Sequence, residues 1–169
     1  VAIAGDLAIV GAPGFVNSSG DETGGAFVFD LANNGALVSE LSVGDLLSGD
    51  NFGFAVAIDD QTGLAAVSAP GTSGRTGAAY IFDAFSGNLR YELINPTAAE
   101  FDVFGSSIDI HGELVVVGTP GDDDFGSRGG SVCFFHIPEP SSAALLAVTA
   151  CGALLLRHRG LKQGGPRCA

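Results

Sequence analysis

Three consecutive acids, Asp122-Asp123-Asp124, followed by Phe125-Gly126, form the densest group of metal-ligating side chains in the 169-residue chain. Asp122 and Asp124 stand at alternate positions near a glycine, as the first carboxylates of a calcium loop do, and hard oxygen donors suit Ca2+. No further acid follows at the spacing of a closing ligand, so the competing assignment is a solvated acidic turn. Nucleophilic catalysis finds less support. His111 sits two residues after Asp109 with no nucleophile motif beside it, His136 ends an apolar stretch, and His158 lies in a basic cluster. The glycine-rich segments hold no Gly-Lys-Ser/Thr, which excludes a phosphate-cradling loop. Cys133 falls on an apolar strand position and is expected as a small core residue. Cys151 lies in an apolar run and Cys168 in a loose tail, so the three cysteines give no disulfide framework. No catalytic residue is expected, no cofactor beyond Ca2+ at Asp122 and Asp124, and the chain is not read as an enzyme.

Charge narrows the partners. The formal net charge is −12, and residues 1–137 carry 18 of the 19 acids against Arg75, Arg90 and Arg128. The remainder reverses sign, with Arg157, Arg159, Lys162 and Arg167 against Glu139. An acidic body repels phosphate backbones, so nucleic acid is excluded as a charge-driven partner. Disorder is excluded as well, because 46% of the residues are hydrophobic and only 15% charged.

The elements that must position these residues repeat. Phe52-Gly53 recurs as Phe104-Gly105, an interval of 52 residues. Short apolar stretches follow each pair, Val56-Ala57-Ile58 and Ile108-Asp109-Ile110, and Val1-Ala2-Ile3 matches both. A second block runs Leu7 to Pro13, Leu64 to Pro70 and Leu114 to Pro120, and a third opens at Gly25, Gly77 and Gly130. These blocks are short, apolar and rich in β-branched or aromatic residues, with Gly or Pro at their ends, as strands covered on both faces are. A fourth block alternates: Leu89, Tyr91 and Leu93 share one face, Arg90 and Glu92 the other. Three to five glycine-bearing residues join the first two blocks of each copy, which are hairpin lengths. Four antiparallel strands per roughly fifty residues describe a propeller blade.

These residues resemble the FG-GAP repeat, the blade unit of integrin α-chain propellers and of many bacterial surface proteins. The Phe-Gly pair stands in copies two and three. Gly11-Ala12-Pro13 is the complete second motif, weakened to Ser68-Ala69-Pro70 and Gly118-Thr119-Pro120. The resemblance implies an all-β fold of propeller blades, each of four antiparallel strands. The copies are residues 1–51, 52–103 and 104–137, the first truncated at its front and the third lacking its outer strand. Extracellular adhesion or recognition of a protein or glycan is the implied role. The calcium loop of integrin-like blades does not carry over, because three or five residues are too few to wrap the ion. Three copies fall short of a closed propeller. Blades upstream of Val1, association, or an open arc would meet the exposed edges, and the mid-strand start of copy one points upstream.

At residue 138 the pattern changes. Pro138-Glu139-Pro140 ends the strands, Ser141-Ser142 can cap a helix, and residues 143–156 carry no charge. Residues 141–156 would make a helix of about 24 Å, short of the roughly 30 Å of a bilayer core. Arg157 and Arg159 follow at once and would anchor it. Pro-Glu-Pro, an apolar helix and terminal arginines in that order resemble the PEP-CTERM sorting signal. That resemblance assigns residues 138–160 to the signal and 161–169 to a basic tail. It implies export, transient membrane anchoring with the blades outside the cytoplasm, and cleavage near Pro138-Glu139-Pro140 by a sorting protease. Cell-surface or secreted location follows. The expectation is thus an exported propeller with a structural, adhesive or binding role. The alternative is a fragment of an extracellular enzyme acting on polysaccharide.

Overall fold

A computed structural model describes residues 1–124, 129–138 and 167–168. They form three four-stranded antiparallel sheets. The first runs β1 (Ala2–Ala4), β2 (Leu7–Ala12), β3 (Gly25–Asp30) and β4 (Ala36–Leu41), in that spatial order. The second is β5 (Val56–Asp59), β6 (Leu64–Ala69), β7 (Ala78–Asp83) and β8 (Leu89–Ile94), with one turn, α1 (Thr72–Arg75), between β6 and β7. Left-handed φ at Ser73 and Gly74 keeps α1 from being a regular helix. The third sheet is β9 (Ser107–His111), β10 (Leu114–Thr119), β11 (Ser131–His136) and β12 (Arg167–Cys168).

Equal register makes the sheets equivalent residue by residue. Ala12 pairs with Gly25, Ala69 with Ala78, and Thr119 with Ser131. The glycines that align are therefore Gly24, Gly77 and Gly130, all at positive φ, one position off the sequence match for the first copy. Bulges recur between Val28 and Phe29 and between Ile81 and Phe82, each bending the outer pair of strands.

Apolar residues from facing sheets fill two layers. Ile9, Val28 and Leu41 of sheet one meet Phe52, Val67 and Phe82 of sheet two. Ala66, Ala79 and Ile81 of sheet two meet Phe104, Val115, Val117 and Phe135 of sheet three. The strands read as continuously apolar because both faces of an interior sheet are covered, which is why strict alternation appears only at the rim. There β8 is more exposed than its pattern predicts: only Leu93 is buried, while Leu89 and Tyr91 remain 47% and 37% exposed. An outer strand is covered by the neighbouring sheet over only part of its length, where Leu41 and Leu93 are buried.

Two expectations change. The third sheet has an outer strand, supplied by Arg167–Cys168 pairing with Phe134 and Cys133. Cys168 is no loose end, for a disulfide joins it to Cys133. Sequence spacing could not show this, because the partner arrives 35 residues later in the chain. The expected apolar helix over 141–156, together with Glu139, Pro140, Arg157 and Arg159, lies outside the described residues.

Candidate functional site

The repeated motif residues meet at the junctions between sheets. The Phe52 N–H donates to the Thr23 carbonyl (3.1 Å), and the Phe104 N–H donates to that of Thr76 (3.0 Å). Gly24 and Gly77 receive these phenylalanine backbones so closely that a Cβ on either would strike the Phe52 or Phe104 carbonyl. The phenyl rings stay with their own sheets: Phe52 lies 5.9 Å from Phe82, and Phe104 5.9 Å from Phe135, both edge to face. Each Phe-Gly pair thus joins two sheets, its ring in one and its backbone against the other.

A companion acid, not singled out from sequence, completes the joint. Asp50 and Asp102 each precede the phenylalanine by two residues and are buried. The Asp50 carboxylate accepts from Leu47 N–H (2.7 Å), and that of Asp102 from Ala99 N–H (2.7 Å). Their carbonyls accept from Gly71 and Gly121 N–H, both at 3.0 Å. The signal was present as Asp-x-Phe-Gly at positions 50 and 102, spaced like the phenylalanines themselves.

A cleft of about 490 Å³ opens between sheets two and three, lined by Asp83, Leu89, Arg90, Tyr91, Glu113 and Pro138 among others. Arg90 Nη2 lies 2.7 Å from Asp83 Oδ2. That contact, helped by the Ser86 backbone N–H, holds the Asp83 carboxyl down at about 2. Across the cleft, His136 Nε2 lies 2.8 Å from Glu113 Oε2, and Tyr91 donates its hydroxyl to the Pro138 carbonyl (3.3 Å). The lining mixes the charged Asp83, Arg90 and Glu113 with apolar Leu64, Leu89, Ile137 and Pro138, so it offers both hydrogen bonds and apolar contact. A second hollow of about 340 Å³ contains Asp45, Asp50, Glu92 and Tyr80. Burial, then the negative charge of Glu92, Asp45 and Asp50, pushes the Tyr80 phenol up to about 12.

The acids picked from sequence do not converge. Asp122 is buried, and its carboxylate accepts from Asp124 N–H (3.0 Å) and from the Ser131 hydroxyl (2.5 Å). Those bonds hold the turn, while Asp124 faces solvent. Among the described residues no three His, Cys, Asp or Glu side chains are grouped to hold a metal. His111 is exposed in its hairpin; it helps favour the charged form of Asp59. Burial opposes that charge, but N–H groups of Gly112, Gln61 and Thr62 outweigh it and hold the Asp59 carboxyl below its usual range. Pro138 is exposed, at the rim of the cleft.

The FG-GAP repeat pattern matches residues 36–82 and 91–135. The chain belongs to the FG-GAP repeat family. Each matched unit runs from the outer strand of one sheet through the first three strands of the next, so the Phe-Gly joint lies inside the FG-GAP unit rather than at its edge. A search of curated proteins finds no match. Among solved structures, Sqt1 from Saccharomyces cerevisiae is similar over 76% of this FG-GAP chain and 31% of its own, at 12% identity and a TM-score of 0.44. Among the described residues no helix is long and apolar enough to cross a membrane.

Proposed function

We propose that this FG-GAP chain is an exported β-propeller scaffold with a structural, adhesive or ligand-binding role, and that it does not catalyse a reaction. The observation that carries the reading is the Cys133–Cys168 disulfide, because such bonds form and persist in oxidising compartments outside the cytoplasm. FG-GAP repeats are typical of extracellular proteins, which supports it. The cleft between sheets two and three is the favoured place for an extracellular protein or glycan to bind. Thiol trapping tests export. In protein recovered outside the expressing cells, Cys133 and Cys168 should resist alkylation until reduced. Free thiols there, or protein confined to the cytoplasm, would remove the basis of the proposal. A polysaccharide-degradation assay on the purified chain should be negative; turnover would replace the scaffold by the enzyme.

Delivery by the C-terminal signal belongs to this reading and rests on the sequence of residues 138–160. It carries a physical condition. A single membrane crossing by 141–156 would put Cys168 on the opposite side from Cys133, so the inserted and the bonded forms exclude each other. Cleavage near Pro138-Glu139-Pro140 after bonding would leave the last residues attached until reduction, a difference between reducing and non-reducing gels. Deleting residues 138–159 should release the blades in soluble form, and unchanged surface retention would sink the sorting reading.

A further inference from the structure

The two joints between sheets differ at one buried carboxylate. Asp102 Oδ2 accepts from Ala99 N–H (2.7 Å) and again from the side-chain amide of Asn95 (2.9 Å), which is itself buried. Asp50 holds the same place in the first joint and accepts from Leu47 N–H (2.7 Å). There Val43 stands where the second joint has Asn95, and its side chain has no donor to offer. Asp50 is buried nonetheless, and among the described residues its carboxylate has no further hydrogen bond and no ion pair. A buried carboxylate short of donors is costly unless something supplies them. Asp50 lines the hollow of about 340 Å³ formed by the link from β4 to β5, the α1 turn and strands β7 and β8. Tyr80 lines it too, is only 6% exposed, and makes no hydrogen bond through its hydroxyl among the described residues. Burial, and then the nearby acids, keep that phenol protonated, so it can accept an N–H while donating its own proton. Asp45 and Glu92 complete the lining from exposed positions, again without an ion pair among the described residues, and no described Lys or Arg lines the hollow.

We propose that this hollow binds an aliphatic diamine or polyamine, with one ammonium group at Asp50 and the Tyr80 hydroxyl and the next at the exposed Asp45 and Glu92. The ligand's N–H supplies at the first joint the donor that Asn95 supplies at the second. Three carboxylates with no base among them favour a cation over a neutral or anionic ligand. Among the described residues no three acids are grouped to share one metal ion, which favours charges carried apart on one chain over a single ion. Methylenes between the ammonium groups meet Leu46, Leu47 and Ile94, the last two of them 71% and 62% exposed. The hollow is separate from the cleft between sheets two and three, and every residue lining it lies between positions 45 and 98, inside the array.

Titration calorimetry of the full 169-residue chain with spermidine tests this. The expected result is one saturable site per chain; no binding, or the unsaturable uptake that a net charge of −12 alone would give, overturns the proposal. Val43→Asn copies the Asn95 donor into the first joint and should weaken binding at least about tenfold. Glu92→Gln should weaken it severalfold, while Asp21→Asn, which removes the same charge away from the hollow, should leave it unchanged. Equal weakening by those two variants would mean diffuse attraction and overturn the site. n-Butylamine should bind at least about tenfold more weakly than 1,4-butanediamine; equal affinity, or displacement of spermidine by equimolar Ca2+, overturns the assignment to a polyamine. The chain has two tyrosines and no tryptophan, so position can be read directly. Spermidine should shift the near-ultraviolet tyrosine signal of wild type and of Tyr91→Phe but not of Tyr80→Phe, and a shift that survives in Tyr80→Phe overturns the placement. Should Val43→Asn fail to fold, Tyr80→Phe, which removes only a hydroxyl, still decides.

Discussion

Asn51 and Val103 occupy the same place in successive joints, each with φ of +57°. Asn tolerates that left-handed conformation; a β-branched residue there is strained, because its Cβ substituents crowd the backbone. The first joint also has Gly49 where the second has Phe101, with φ of +92° and +70°. The second joint therefore holds its shape against local preference, and Val103→Asn should stabilise the chain by about 1 kcal/mol in urea unfolding. The reciprocal Asn51→Val should cost about as much. Asp83 supplies a pH-dependent term. Its folded value of about 2 lies below the ordinary 3.8, so its contribution is complete above pH 4 and is lost as pH falls towards 2. Arg90 is 42% exposed, and solvent screening limits the pair to at most about 1 kcal/mol. Comparing wild type with Asp83→Asn, the difference in unfolding free energy should be present at pH 6 and shrink towards zero as pH falls through 2.

The strand blocks were legible because sheet residues carry their own signal: β-branched and aromatic runs bounded by Gly and Pro, repeated at a fixed interval. Joint residues carried half a signal. Phe-Gly was visible, but the carboxylates of Asp50 and Asp102 accept from backbone N–H groups three residues upstream, and isolated acids in a loop look like solvated ones. The acidic run at 122–124 drew attention by density, yet Asp122 spends its carboxylate on Asp124 and Ser131. Nothing local in Gly130 to Ile137 announces that strand β12 comes from residue 167. Two predictions belong to these elements. Gly77→Ala combines φ of +89° with a collision against the Phe104 carbonyl, and should destabilise by about 3 kcal/mol or more. Gly112→Ala, at φ of +57° with no described atom within 4 Å of the added methyl group, should cost only about 1–2 kcal/mol. Equal effects would show that conformation alone, not the joint, selects glycine. For β12, Cys168→Ser removes a cross-link between residues 35 apart and should cost about 3–4 kcal/mol in oxidised protein and nothing once wild type is reduced.

At the scale of the whole molecule, charge and apolar surface oppose one another. Each chain carries a net −12, so bringing two together costs repulsion, while any contact through the exposed Val132 and Phe134 removes apolar area from water. The two terms respond to salt differently. Raising ionic strength from 0.1 M to 1 M shortens the screening length from about 10 Å to about 3 Å and removes most of the repulsion. The apolar term does not weaken over that range. Association through the sheet faces should therefore tighten steadily with added sodium chloride, the dissociation constant falling severalfold between 0.05 M and 0.5 M in sedimentation measurements. Cohesion carried by ion pairs would give the opposite slope, since screening would weaken it. The sign of that slope separates association through apolar sheet faces from acidic chains clustering through their few arginines.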